Sequence, residues 1–238
     1  MFAFRADPNW WMVLVVPVLS ALACLNVEPR DIPERLLIVA DTFNLSFTVD
    51  SDVTQFGQAI VTTSLDTLGY TPVILLKRTF QGSQLGEVHQ QSIHRFPDFE
   101  PLHTSSASSD RELSMQFTPD YIDVVGYDRS GDRTRVVPRG DVVQSELGVE
   151  LWVRAAPLTL STDTVLTTYA AASGPGSLRV QVEGVERVLT PRGVRMAWKV
   201  RGEDAPSIVR HWWIDVDNRR VLRHTLTTWV GVTAFTLP

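Results

Sequence analysis

The chain is poor in several things, and each shortage removes a class of function. It has one cysteine in 238 residues, so it can close no internal disulfide and cannot build a thiolate metal site by itself. Positive charge is not in excess: 22 Lys and Arg stand against 27 Asp and Glu, a formal net charge of -5. That balance argues against a nucleic-acid partner, which needs a basic surface to displace counterions. There is no G-x-S-x-G elbow, no Walker phosphate loop, no G-x-G-x-x-G after a strand and no H-E-x-x-H. Gly174-Pro175-Gly176 reads as a turn, because proline interrupts the run of free N–H groups that a phosphate cradle requires. Apolar residues are not lacking: at 44% hydrophobic, the chain has material for a core and is not globally disordered.

The longest apolar run, Trp10 to Leu25, reads WWMVLVVPVLSALACL. It falls short of the roughly 20 residues that cross about 30 Å of hydrocarbon, and Pro17 interrupts it. Ala21-Leu22-Ala23 is the small-x-small pattern of a signal-peptidase site. The expectation is export, with residues 1–23 as a signal peptide or, if uncleaved, an N-terminal anchor, and 24–238 as a single β-rich domain. A buried core helix is the plain alternative. Cys24 directly follows Ala23, where a bacterial lipoprotein carries its acylated cysteine, although Leu22 sits one place later than the usual leucine. Membrane contact is therefore expected through the N-terminus, and the location is the bacterial periplasm or outer cell envelope.

Beyond residue 35 the chain alternates. Residues 178–183 are strictly apolar-polar, and 194–201 alternate again. In 208–216, Ile208, Trp212, Ile214 and Val216 share a parity that only Arg210 breaks. In 222–232, Leu222, Leu226, Val230 and Val232 share another. Period two over such lengths predicts strands with one buried face. Tyr121–Tyr127 with Arg133–Val137 reads as a hairpin, and Phe43–Val49 and Thr71–Phe80 are further strands. Short links such as Thr190-Pro191-Arg192-Gly193, 202–206 and Asp217-Asn218 join antiparallel neighbours. Thr104–Asp110 reads as a polar loop. Asp141 to Ala156 places Val143, Leu147 and Leu151 on one helical face, with Asp141 and Gln144 as a capping box and Pro157 as the stop. The fold class expected is mainly β: a curved antiparallel sheet or half-barrel meander with one or two short helices.

Candidate site residues are few. His89 and His94 lie five apart, on opposite faces of a strand, so they do not converge on a metal. His224 lies on the apolar parity and reads as a satisfied core or pocket-lining histidine before a ligand or base. Arg129, Arg133, Arg135 and Arg139 interleave with Asp128, Asp132 and Asp141, as on a solvated hairpin surface. Trp198 and Trp212 fall on the apolar parity of adjacent strands; Trp213 and Trp229 fall on the other.

The segment Gly184-Val185-Glu186-Arg187-Val188-Leu189-Thr190-Pro191-Arg192-Gly193 resembles the signature of a bacterial exported family catalogued as domain of unknown function 3108. The alternating strand Val194–Arg201, then His211-Trp212-Trp213-Ile214-Asp215, then Arg220-Val221-Leu222-Arg223-His224 are similar to the strands after that signature in the family. Ser145 to Leu158 resembles its upstream segment. The resemblance spans residues 50–228 loosely and 141–228 more closely. It implies an exported, curved antiparallel sheet like the open half-barrel of lipoprotein-carrier proteins, and brings no catalytic residues.

These observations support a non-catalytic envelope protein, lipid-anchored through Cys24 in one form, whose half-barrel binds an apolar small molecule or a lipidated partner. The expected lining is Trp198, Trp212, Leu222, His224 and Leu226. No cofactor or metal is called for. A scaffolding protein with a filled core is the alternative, and a hydrolase assembled around His224 or His94 the third.

Overall fold

The computed structural model describes residues 37–82, 86–128, 131–171, 173–205 and 208–238. The leader, Ala21-Leu22-Ala23, Cys24 and Arg129 lie outside the described residues. The first half of the chain gives strands β1 (Val39–Val49), β2 (Asp52–Leu68), β3 (Thr71–Gly82), β4 (Gly86–Arg95) and β5 (Pro101–Ala107). Next come β6 (Glu112–Phe117), β7 (Tyr121–Asp128), β8 (Gly131–Pro138), the two-residue β9 (Gln144–Ser145) and helix α1 (Val149–Ala155). The chain ends with β10 (Asp163–Ala170), β11 (Gly174–Thr190), β12 (Gly193–Ala205), β13 (Ile208–Asp215), β14 (Val221–Thr227) and β15 (Val232–Thr236).

All the strands belong to one sheet, ordered β8-β7-β6-β5-β4-β3-β2-β1-β15-β14-β13-β12-β11-β10-β9. Each pair is antiparallel except β9 with β10. The sheet is thus two meanders, β1 to β8 and β10 to β15, zipped together where β1 meets β15. It curves but does not close by backbone pairing, because its end strands β8 and β9 are not partners.

Side chains bridge the remaining gap. Arg135 on β8 donates from Nη2 to the Tyr169 hydroxyl at 2.8 Å and to the Ala171 carbonyl at 3.2 Å. Arg139 donates to the Thr118 carbonyl at 2.9 Å and pairs with Glu100 at 2.7 Å. Neither arginine is therefore merely solvated: Arg135 ties the seam, over a small core of Met115, Phe117, Ile122, Val124, Val142 and Tyr169, and Arg139 braces the loops on its own side.

Helix α1 plugs one end of the concave face, and all seven of its residues are buried. Leu151 and Val153 pack into the main core with Leu37, Leu45, Ile74, Leu76, Val180 and Ile214. A helix buried all round must satisfy its polar side chains inside. Arg154 donates to the carbonyls of Arg219 and Leu37 and to Thr63 Oγ1, each at 3.0 Å. Burial draws its pKa down to about 10, with Glu150 opposing. Glu150 accepts from Arg78 Nη2 at 2.8 Å.

Four local expectations are corrected. The helix does not begin near Asp141; it starts after Gly148, with no side-chain cap. Gln144 and Ser145 pair instead with Thr168 and Tyr169. Gln144 Nε2 donates to the Phe99 carbonyl at 2.8 Å, and Ser145 Oγ accepts from the Gly148 N–H at 3.0 Å. These contacts satisfy groups that a longer helix would have turned inward. The stop at Pro157 holds: Ala156 is already extended, as a residue before proline must be. Thr104–Ala107 is strand, not loop, because β4 and β6 flank it and absorb its backbone polar groups. Gly202 to Ala205 likewise stays in β12, paired with β13. Finally, 222–232 is two strands. Thr228 N–H donates to the Gly231 carbonyl at 2.9 Å, closing a hairpin that leaves Trp229 at its tip, 87% exposed.

Candidate functional site

Strand alternation builds the candidate site on the half of the concave face that α1 leaves uncovered. Trp212 on β13, His224 on β14 and Phe235 on β15 are direct cross-strand partners. Their rings stack: Trp212 and His224 have centroids 5.3 Å apart at 6°, and His224 and Phe235 5.0 Å apart at 26°. Phe80 on β3 meets Phe235 edge-on at 6.2 Å. Trp212 lies against Gly202, where an added Cβ would stand 2.7 Å from its ring. Only glycine permits that approach.

Polar groups border the stack. Arg210 on β13 donates to Glu146 at 2.9 Å and to Asp204 at 2.8 Å, while Arg78 holds Glu150. Four buried atoms here have no hydrogen-bond partner: Trp212 Nε1, His224 Nε2, Arg210 Nε and Asp204 Oδ1. Such orphans are uncommon in folded proteins, since each costs about 1–3 kcal/mol. Enclosure pushes the His224 pKa down to about 3, helped by the charges of Arg78 and Arg210. His224 is therefore a neutral imidazole near pH 7, able to donate or accept a hydrogen bond but weak as a proton acceptor.

The predicted lining separates into two sets. Trp198, Trp212, His224 and Leu226 share the concave face, in registers Val200↔Trp212, Trp212↔His224 and Arg210↔Leu226. Leu222 does not join them. A bulge places Trp213 opposite Arg223 and Ile214 opposite Val221, so Leu222 is the extra residue between. It turns to the convex face and packs with Ala197 and Trp213. There Trp213 donates from Nε1 to Glu186 at 2.9 Å and lies under Arg223, 4.8 Å from its ring centre. The Trp213 hydrogen bond also holds the Glu186 carboxyl below its usual pKa.

His94 lies elsewhere, under the plug. His89 points to the opposite face of β4 and is exposed. His94 Nδ1 donates to the Phe99 carbonyl at 3.0 Å, which leaves Nε2 to accept from Ser92 Oγ at 2.6 Å. That is a serine-histidine contact, but both residues are 0% exposed, so no substrate reaches it. Around His224, no described residue supplies a hydrogen-bonded nucleophile.

Sequence reasoning missed Arg78, Phe80, Asp204 and Phe235. Arg210 did leave a signal, as the lone charge on an apolar parity.

The architecture defines a class: an open, plugged β half-barrel with a stacked aromatic-histidine cluster on its concave face. The chain belongs to the family described as Protein of unknown function (DUF3108), whose model matches residues 42–237. Its fold is similar to a crystal structure of a beta-barrel-like protein of domain of unknown function DUF1849 from Brucella abortus, at a TM-score of 0.54 and 10% identity. That likeness covers 86% of this chain and 97% of the other. No curated protein matches this chain.

Proposed function

We propose that the protein is a non-catalytic binding module. Its half-barrel takes an apolar chain, from a free lipid or a lipidated partner, with the polar end of that ligand at His224 and Trp212. The observation that carries this reading is the stack Trp212–His224–Phe235, with ring nitrogens buried and unpartnered beside half-exposed aromatic surface. Phe47, Phe80, Leu226 and Phe235 are all partly exposed on this face and supply the apolar wall. A ligand head group would satisfy the orphan atoms, and its tail would cover the aromatics. Residues 1–23 export the chain, and Cys24, acylated or not, sets whether it stays at a membrane.

The test is lipid extraction and mass spectrometry of the purified mature protein, with a tryptophan-fluorescence titration against fatty acids. A copurifying lipid or a saturable response is expected; absence of both overturns the reading. The mass of the mature N-terminus separates cleaved, acylated and retained leaders.

A scaffold with a filled core has one observation in its favour: Trp212 is only 2% exposed. It predicts that neither lipid nor titration response is found.

A further inference from the structure

A separate cavity of about 310 Å³ opens at the opposite rim, away from the stack. Four chain segments meet there: the β11–β12 turn, the β13–β14 turn, the start of β1 and Leu237-Pro238. Two of them, Thr190-Pro191-Arg192-Gly193 and the strand ending at Asp215, are segments on which the family resemblance rests. The concave-face stack draws Trp212 from that strand but neither the turn nor Asp215.

The wall chemistry is mixed. Asp215 is 1% exposed. Its Oδ1 accepts from the backbone N–H groups of Asp217 and Asn218, at 2.8 and 3.1 Å, which fixes the carboxylate. Its Oδ2 is buried and has no partner. A buried carboxylate oxygen left without a donor is costly, so this atom is set for a donor that arrives from outside. Asp41 cannot compete for that donor, because Arg220 already pairs with it through two nitrogens. Across the cavity, Arg192 and Arg195 are exposed and make no side-chain ion pair with any described residue. Two free guanidiniums beside one unpartnered carboxylate oxygen suit neither a bare cation nor a simple anion. Leu222, turned outward by its bulge, gives the cavity an apolar side.

We propose that this cavity binds a compact organic anion that also carries a hydroxyl or ammonium donor. Arg192 and Arg195 take the anionic group, the geometry for which guanidinium is suited. Asp215 Oδ2 takes the donor. The cavity lies at the lower end of the range for small-molecule sites, roughly 300–1,000 Å³, which limits the ligand to a compact one.

Glycerol phosphate, an anion with hydroxyl donors, is compared with methyl phosphate, which lacks the carbon-borne hydroxyls. Amide chemical shifts of the full mature chain are followed by NMR. Glycerol phosphate should give saturable shifts at 190–195 and 215–220 and bind more tightly than methyl phosphate. Arg192→Gln with Arg195→Gln should weaken it about tenfold or more. Asp215→Asn should erase most of the preference for glycerol phosphate. If Asp215→Asn does not fold, the double arginine variant decides alone, since both residues are exposed. No saturable shift, shifts indifferent to the arginine pair, or a folded Asp215→Asn that keeps the preference would each overturn the proposal. The fatty-acid titration reads the concave face, so the two readings fail separately.

Discussion

His94 and His224 are two enclosed histidines in one sheet, and only one of them is finished. His94 uses both ring nitrogens, on Ser92 and the Phe99 carbonyl. His224 is held by ring stacking and leaves Nε2 with nothing to bond. Both have pKa values pushed below 6.5 by burial. Neither burial nor the direction of the shift therefore separates the two. The accounting of hydrogen bonds does. A similar contrast separates the regions around them: Arg154 uses its donors in a network at the plug, where Gln144 Oε1 is left over, and the other end gathers four orphan atoms beside partly exposed aromatic rings.

The largest effect that would sharpen this contrast is at the plug. Arg154→Ala strands the carbonyls of Leu37 and Arg219 and leaves a cavity, so it should cost about 3–5 kcal/mol in chemical denaturation. A loss under about 1 kcal/mol would mean that Arg154 is not what holds the plug in place.

Next comes acid. The folded pKa of His94, about 4, lies below its ordinary value of 6.5. The unfolded state therefore binds more protons between those two values, and stability must fall as the pH drops through that window. The contribution is of order 3 kcal/mol, present in full above pH 6.5. His224, with a folded pKa of about 3, acts in the same direction, so His94→Gln should remove roughly half of the pH dependence of the denaturation midpoint between pH 4 and 6.5; an unchanged slope would show that His94 does not titrate there.

The smallest effect on stability, and the most telling, is His224→Phe. The substitution keeps an aromatic ring in the stack and removes an unsatisfied nitrogen. Stability should stay within about 1 kcal/mol of the parent, or rise. The fluorescence response to fatty acids should fall. A large destabilisation would make His224 a structural residue like His94 and dissolve the contrast.

Much of the fold was legible because its logic is local. Period-two alternation marked β11, β12 and β13, and short turns with Pro or Gly implied antiparallel neighbours. Errors arose where long-range pairing overrode local composition. Thr104–Ala107 is polar enough for a loop but lies between two strands. The helical face drawn from Val143 through Leu147 was interrupted because Gln144 and Ser145 found partners far along the chain. Four of the five predicted lining residues, Trp198, Trp212, His224 and Leu226, lie on the concave face because parity along a regular strand is readable. Leu222 does not, because a one-residue bulge inverts parity and alternation alone does not reveal it.

The sequence by itself determined the mainly β class, the antiparallel meander of the last strands and the family, since all three rest on patterns within a few residues of one another. Only the tertiary structure decided which histidine is satisfied, which arginine closes the seam, and that Asp215 keeps an unbonded oxygen beside a cavity. Those depend on which distant side chains fill the remaining hydrogen bonds. Sheet curvature and the buried plug set that, and no local pattern encodes it.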